Sequence, residues 1–217
     1  MTAGARHLDG GIIQSSVIVS TRWFAGGCGR WAGCAPSDGT RIYIANHTSH
    51  ADFPLILAAL PAHLRERTSV VAAAEYWRGG KVRRYVAEQV FRTILLQRDH
   101  VALNQYAQMI AALDRGESLI LFPEGTRGSG QHLQPFRCGI YHLARARPQV
   151  EIVPVWIDNA YRLLPKGALV PAPIECSVTF GDPTHLYPGE DKKSFLERIS
   201  EALLSTGRKN GNNCYRH

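Results

Sequence analysis

The chain of 217 residues lacks several features that would place it quickly. Its five cysteines, Cys28, Cys34, Cys138, Cys176 and Cys214, are odd in number and form no CxxC pair. A disulfide framework is therefore not expected and a zinc ribbon is excluded. Inert thiols in an intracellular, reducing compartment are the expectation. No run of 18 apolar residues exists, so no transmembrane helix is expected. The longest candidate, 11–19, is too short to span and lacks the basic flank and small-residue cleavage site of a signal peptide. There is no Gly-x-Ser-x-Gly elbow, no Walker loop and no Gly-x-Gly-x-x-Gly. Those absences argue against serine α/β-hydrolases, P-loop enzymes and dinucleotide-binding folds. No helix-turn-helix or aromatic-rich single-strand motif is present, so nucleic acid is not an expected partner. His47, His50 and Asp52 sit close in sequence, but no second cluster completes a metal site, and no metal is expected.

What is present reads as one globular domain with an appendage. Hydrophobic residues make up 45% and charged residues 20%, enough apolar matter for a core without staples. The formal charge is +7, which favours an anionic partner such as a membrane surface or a phosphorylated or CoA-like ligand. Residues 1–40 read as an N-terminal amphipathic segment and a linker, the latter rich in Gly, Ala, Ser and Pro over 25–40. Within it, 11–24 fits two descriptions. It is either an ordinary core helix or an interfacial one, with Ile12, Ile13, Val17 and Phe24 toward lipid and Trp23 near headgroups. Residues 41–205 form the main domain and 206–217 a flexible tail.

Apolar runs at 41–45, 69–73, 93–96, 118–122, 151–157 and 176–180 predict strands. Helical patterns fall near 50–60, 80–90, 100–115, 136–146 and 192–205. In 100–115 the stripe Leu103, Tyr106, Met109, Ile110 and Leu113 marks a core face. Strands apolar on both faces and separated by helices predict an α/β fold with a mostly parallel sheet. In such sheets chemistry gathers in the loops after strand C-termini.

Two strand ends carry suitable residues. The first strand runs into Asn46-His47-Thr48-Ser49-His50-Ala51-Asp52. A helix starting here, with Thr48 or Ser49 as N-cap, would curl Asp52 back toward the imidazole. A carboxylate on one ring nitrogen leaves the other as a base; a capping or core role is the alternative. The fourth strand ends in Pro123-Glu124-Gly125-Thr126-Arg127-Gly128. Gly125 permits close backbone approach and Arg127 offers a fork for phosphate, against the alternative of a solvated Glu–Arg turn. Arg98 puts a cation at a third strand end, or is a plain surface arginine. Pro154 within 151–157 argues for an edge position or a bulge. The stretch 78–84 holds four basic residues, either a solvated face or a contact with anionic headgroups.

Taken in order, Asn46-His47-(four residues)-Asp52, Arg98, Phe122-Pro123-Glu124-Gly125-Thr126-Arg127 and Val153-Pro154-Val155 resemble the glycerolipid acyltransferase family, and more narrowly the 1-acylglycerol-3-phosphate acyltransferases. The resemblance spans about 41–182. It implies an αβα sandwich on the cytoplasmic face of the inner membrane, peripheral or monotopic, with a short N-terminal helical segment dipping into lipid. It implies His47 as general base and Asp52 as its orienting partner. Asn46, Arg98, Glu124, Gly125, Thr126 and Arg127 would bind the acceptor, and Pro154 would belong to the acyl-chain or donor region. The implied co-substrates are an acyl thioester, acyl-CoA or acyl carrier protein, and a lysophospholipid, with no cofactor. One departure stands out: the family's usual Gly six residues before its second-block Arg is Arg92 here, and its aromatic-Ile pair is Leu95-Leu96. That departure motivates another acceptor, such as a lyso-ornithine lipid. A membrane lipid-binding protein without catalysis is the remaining alternative.

Overall fold

A computed structural model of the chain describes residues 3–25, 28–74, 80, 91–96, 102–128, 132–163 and 172–211. Arg98, the helix expected at 80–90, the basic stretch 78–84 apart from Gly80, and Cys214 lie outside them.

Seven strands form one sheet in the order β1-β7-β6-β2-β5-β3-β4. They are β1 Cys28–Trp31, β2 Arg41–Ala45, β3 Thr68–Ala73, β4 Ile94–Leu96, β5 Ser118–Leu121, β6 Glu151–Asp158 and β7 Ser177–Phe180. β2 to β6 run parallel, β7 is antiparallel to β6, and β1 is parallel to β7. Among the described residues the helices are α1 Ala3–Ala25, α2 Asp52–Ala59, α3 Ala62–Arg65, α4 Ala102–Asp114, α5 Gly139–Ala146, α6 Ala160–Leu163 and α7 Lys192–Gly211.

Strand alternation divides the core into two layers. Tyr43, Ala45, Val153, Val155 and Ile157 face α1 and α2. Ile42, Ile44, Leu119, Leu121 and Ile152 face α4, α5 and α7. The result is the expected αβα sandwich. Tyr106, Met109, Ile110 and Leu113 of α4 take the core positions that their spacing predicted.

Three expectations are corrected, and the alternative left open at Pro154, an edge or a bulge, is decided. The linker contains a strand, β1. Its Gly29 is small because α2 ends against it: a Cβ there would lie 2.7 Å from the Ala59 carbonyl oxygen. Glycine content thus signalled close packing rather than a loose link. Pro154 is not on an edge, because β6 lies between β7 and β2. It does mark a bulge: pairing steps from Val155↔Phe180 to Ile152↔Thr184, so three residues oppose two of β6. The missing proline N–H falls in that interruption. Neither Thr48 nor Ser49 caps α2; its N-cap is Ala51, with no side-chain cap bond. Finally, α7 runs to Gly211, so the tail is helical as far as that residue.

α1 lies on α2, burying Ile18 and Ala25. Val17 packs against the core cluster instead of facing away. Ile13, Val19 and Trp23 are exposed, Trp23 by 84%. The side chains of Ile12 and Phe24 lie outside the described residues. No described helix is long and apolar enough to cross a membrane.

Candidate active site

The C-terminal ends of β2, β5 and β6 open on a cleft of about 350 Å³. Asn46, His47 and Thr48 border it on one side, Glu124 and Gly128 on another, and Trp156, Ser200 and Leu204 close it toward α7.

His47 sits on the turn between β2 and α2, and its side chain is 21% exposed. Its Nδ1 lies 2.7 Å from Asp52 Oδ2. An ionised carboxylate only accepts, so Nδ1 carries the proton and donates it, and Nε2 keeps its lone pair. The same Oδ2 accepts the N–H groups of Thr48 at 2.6 Å and Ser49 at 2.9 Å. The loop's donors thus go to a carboxylate reaching back from the first turn, which is why no hydroxyl is needed as the cap. Ser49 instead accepts from the Ala51 N–H at 3.2 Å. Asp52 is fully buried at the positive end of α2, a favourable place for its charge. The Phe122 ring stacks on the imidazole at 4.3 Å between centroids.

The turn after β5 is tied to His47 by main-chain bonds. The His47 N–H donates to Glu124 Oε1 at 2.7 Å, and the Gly128 N–H donates to the His47 carbonyl at 2.8 Å. The Gln134 N–H takes the other oxygen, Oε2, at 2.8 Å. Glu124 is only 4% exposed. Burial pushes its carboxyl above the ordinary range, against the pull of the two N–H bonds. Gly125 has φ +70°, the left-handed region, and donates to the Phe122 carbonyl at 3.0 Å. Its missing Cβ also makes room for Arg137, whose Nε would lie 2.3 Å from that atom.

The residues named from sequence therefore separate. His47 and Asp52 are joined directly. Glu124 meets them through backbone. Thr126 and Arg127 are exposed on the same turn, and no acid pairs with Arg127 among the described residues. Asn46 is buried, and both ends of its amide serve β6: Nδ2 donates to the Ile157 carbonyl at 2.9 Å and Oδ1 accepts the Ile157 N–H at 2.8 Å. Pro154 lies inside the sheet and is not among the residues bordering the cleft. Sequence reading gave Gly128 no role and missed His132, Leu133, Gln134, Arg137, Trp156 and the α7 residues. Only Arg137 left a signal, a cation just beyond the glutamate block. Burial pushes the Cys176 thiol up to about 11, so it stays protonated near neutral pH and is no nucleophile.

Arg92 lies elsewhere. It precedes β4, donates to the Glu66 carbonyl at 3.1 Å and pairs with Glu117 at 3.3 Å. Glu66 and Glu117 precede β3 and β5, so the group sits at the strands' N-terminal edge, opposite the cleft. Its φ of +48° explains why glycine suits the position. The departure is a matter of backbone conformation and does not touch the cleft.

A family model described as Acyltransferase matches residues 34–158, more than half of the chain. The chain belongs to the acyltransferase family. The matched segment contains His47, Asp52 and the Glu124 turn but not α7. Among curated proteins, the 1-acyl-sn-glycerol-3-phosphate acyltransferase of Cocos nucifera is 29% identical over 154 residues, 70% of this chain and 48% of that protein. The lyso-ornithine lipid O-acyltransferase of Pseudomonas aeruginosa is 31% identical over 98 residues, 44% of this chain and 34% of that protein. These matches span about half, or less, of the relatives' own length. Among solved structures, the 1-acyl-sn-glycerophosphate acyltransferase of Thermotoga maritima superposes with a TM-score of 0.67 at 21% identity, over 94% of this chain and 81% of that one. That likeness is one of fold.

Proposed function

We propose that this family member moves a fatty acyl group from an acyl thioester to the free hydroxyl of lysophosphatidate, forming phosphatidate. The observation that carries the reading is the His47–Asp52 pair at 2.7 Å on the border of the cleft. Nε2 of His47 takes the hydroxyl proton as the oxygen attacks the thioester carbonyl. Asp52 stabilises the imidazolium that results. The tetrahedral intermediate collapses, the C–S bond breaks, and the imidazolium returns its proton to the departing thiolate. Such thiols are acidic, with a pKa of about 8.5 for a simple one, so departure needs little assistance. Arg127, with Arg137 from the segment entering α5 bonded against the same turn, supplies guanidinium groups for the acceptor phosphate. The donor is acyl-CoA or an acyl carrier protein thioester. The exposed side chains of Ile13, Val19 and Trp23 on α1, together with the +7 charge, suit an anionic membrane surface on which the lipid acceptor is met.

A second acceptor keeps the same chemistry: a lyso-ornithine lipid, favoured by the likeness to the Pseudomonas enzyme. Arg92 no longer argues for it. The test offers purified protein a thioester with each lysolipid and follows lipid product and free thiol. Phosphatidate from lysophosphatidate is the expected result. Product from the lyso-ornithine lipid alone would replace the first acceptor with the second.

A further inference from the structure

We propose that Glu124 is a positioning residue that holds the main chain of His47, and not a ligand of either substrate. The inference rests on His47 being the base. An ionised carboxylate can only accept, and each Glu124 oxygen already faces a main-chain donor, His47 N–H at 2.7 Å and Gln134 N–H at 2.8 Å. The group lines the cleft but only 4% of its surface is exposed. A negative carboxylate is also a poor neighbour for a phosphate-bearing acceptor. The His47 peptide is gripped from both sides, its N–H by Glu124 and its carbonyl by the Gly128 N–H at 2.8 Å. Asp52 sets the ring, and Glu124 sets the backbone from which the ring projects. The two oxygens also span from the β2 loop to the segment entering α5, so the carboxylate fixes two loops relative to one another. A Gln at this position has one acceptor oxygen and one NH₂, so it must aim a donor at one of the two N–H groups.

The variant Glu124→Gln separates the roles. Positioning predicts a kcat lower by about a hundredfold, the scale of a small misplacement of a catalytic group. It predicts an acceptor KM changed by no more than about twofold, and a His47 amide proton resonance moved upfield. A KM raised tenfold or more with kcat kept would overturn the proposal and make Glu124 a substrate ligand. Should the variant not fold, amide exchange in the wild-type protein decides. The His47 and Gln134 amides should exchange slowly before any substrate is added and stay so when lysophosphatidate is added. Rapid exchange in the substrate-free protein would overturn it. A fully active His47→Ala protein would instead remove the base itself, and the amide measurements keep that outcome distinct from failure of the clamp.

Discussion

Asp52 accepts three N–H groups through one oxygen, and its bond to Nδ1 leaves Nε2 of His47 with its lone pair. Asp52→Asn keeps the size but can turn an NH₂ toward Nδ1 and favour the wrong tautomer. By analogy with other His–Asp pairs, kcat should fall about 10³- to 10⁴-fold with substrate KM little changed. Near-full activity in steady-state kinetics would contradict that role. Gly125→Ala tests the turn. Arg137 can swing aside from the new Cβ, but φ +70° cannot be relieved, so folding should lose about 1–2 kcal/mol and the Tm should drop. An unchanged Tm would contradict the strain argument. At this scale the sequence was informative on the pairing of His47 with Asp52, whose spacing brings the carboxylate back to the ring. It was silent on direction. Asn46 turns to Ile157, 111 residues away, and Glu124 turns to the main chain of His47, 77 residues away. Neither partner can be read from a local pattern.

α2 carries Asp52 into the site at one end and is held by cations at the other. Arg22 of α1 donates to the Ala58 carbonyl at 2.8 Å, and Arg65 to the Leu57 carbonyl at 3.2 Å, two carbonyls in the last turn. α7 closes the cleft and is pinned by Arg198, which donates to both Glu190 oxygens from the single Nε–Nη2 edge of its guanidinium and from Nη1 to the Thr184 hydroxyl at 2.6 Å. These bonds hold the Glu190 carboxyl below the ordinary 4.5. A depressed carboxyl contributes stability that is present above its ordinary value and lost as pH falls through the folded one. Glu190→Gln should therefore lower the Tm at neutral pH and flatten its fall as the pH drops below the ordinary 4.5. A variant with the wild-type Tm–pH curve would contradict the pairing. Element existence was legible wherever a strand was apolar on both faces. β1 was not, because Cys28-Gly29-Arg30-Trp31 lacks such a run and gains its place through β7 and the end of α2. The Arg92 departure misled for a related reason: its meaning was a positive φ at the strands' far edge, visible only in three dimensions.

The αβα sandwich follows from the two-layer burial of the central strands, and that architecture was readable from the apolar runs. The antiparallel turn at β7 was not, since direction depends on the path between Asp158 and Ser177. Among the described residues, α1 presents exposed apolar side chains. Ile13, Val19 and Trp23 project from α1 in a chain of charge +7. Vesicles rich in anionic lipid should therefore bind the protein more strongly than neutral ones, with binding weakened by salt. Trp23→Ala should reduce co-sedimentation several-fold without lowering the Tm, since that side chain is largely exposed. Unchanged binding would remove α1 as the contact. The most direct test of the central claim is acyl transfer by purified wild-type and His47→Ala proteins, given an acyl thioester and lysophosphatidate, with phosphatidate and free thiol measured together. The account predicts equal amounts of both products from the wild type and neither from the folded variant. Full transfer by His47→Ala would contradict it.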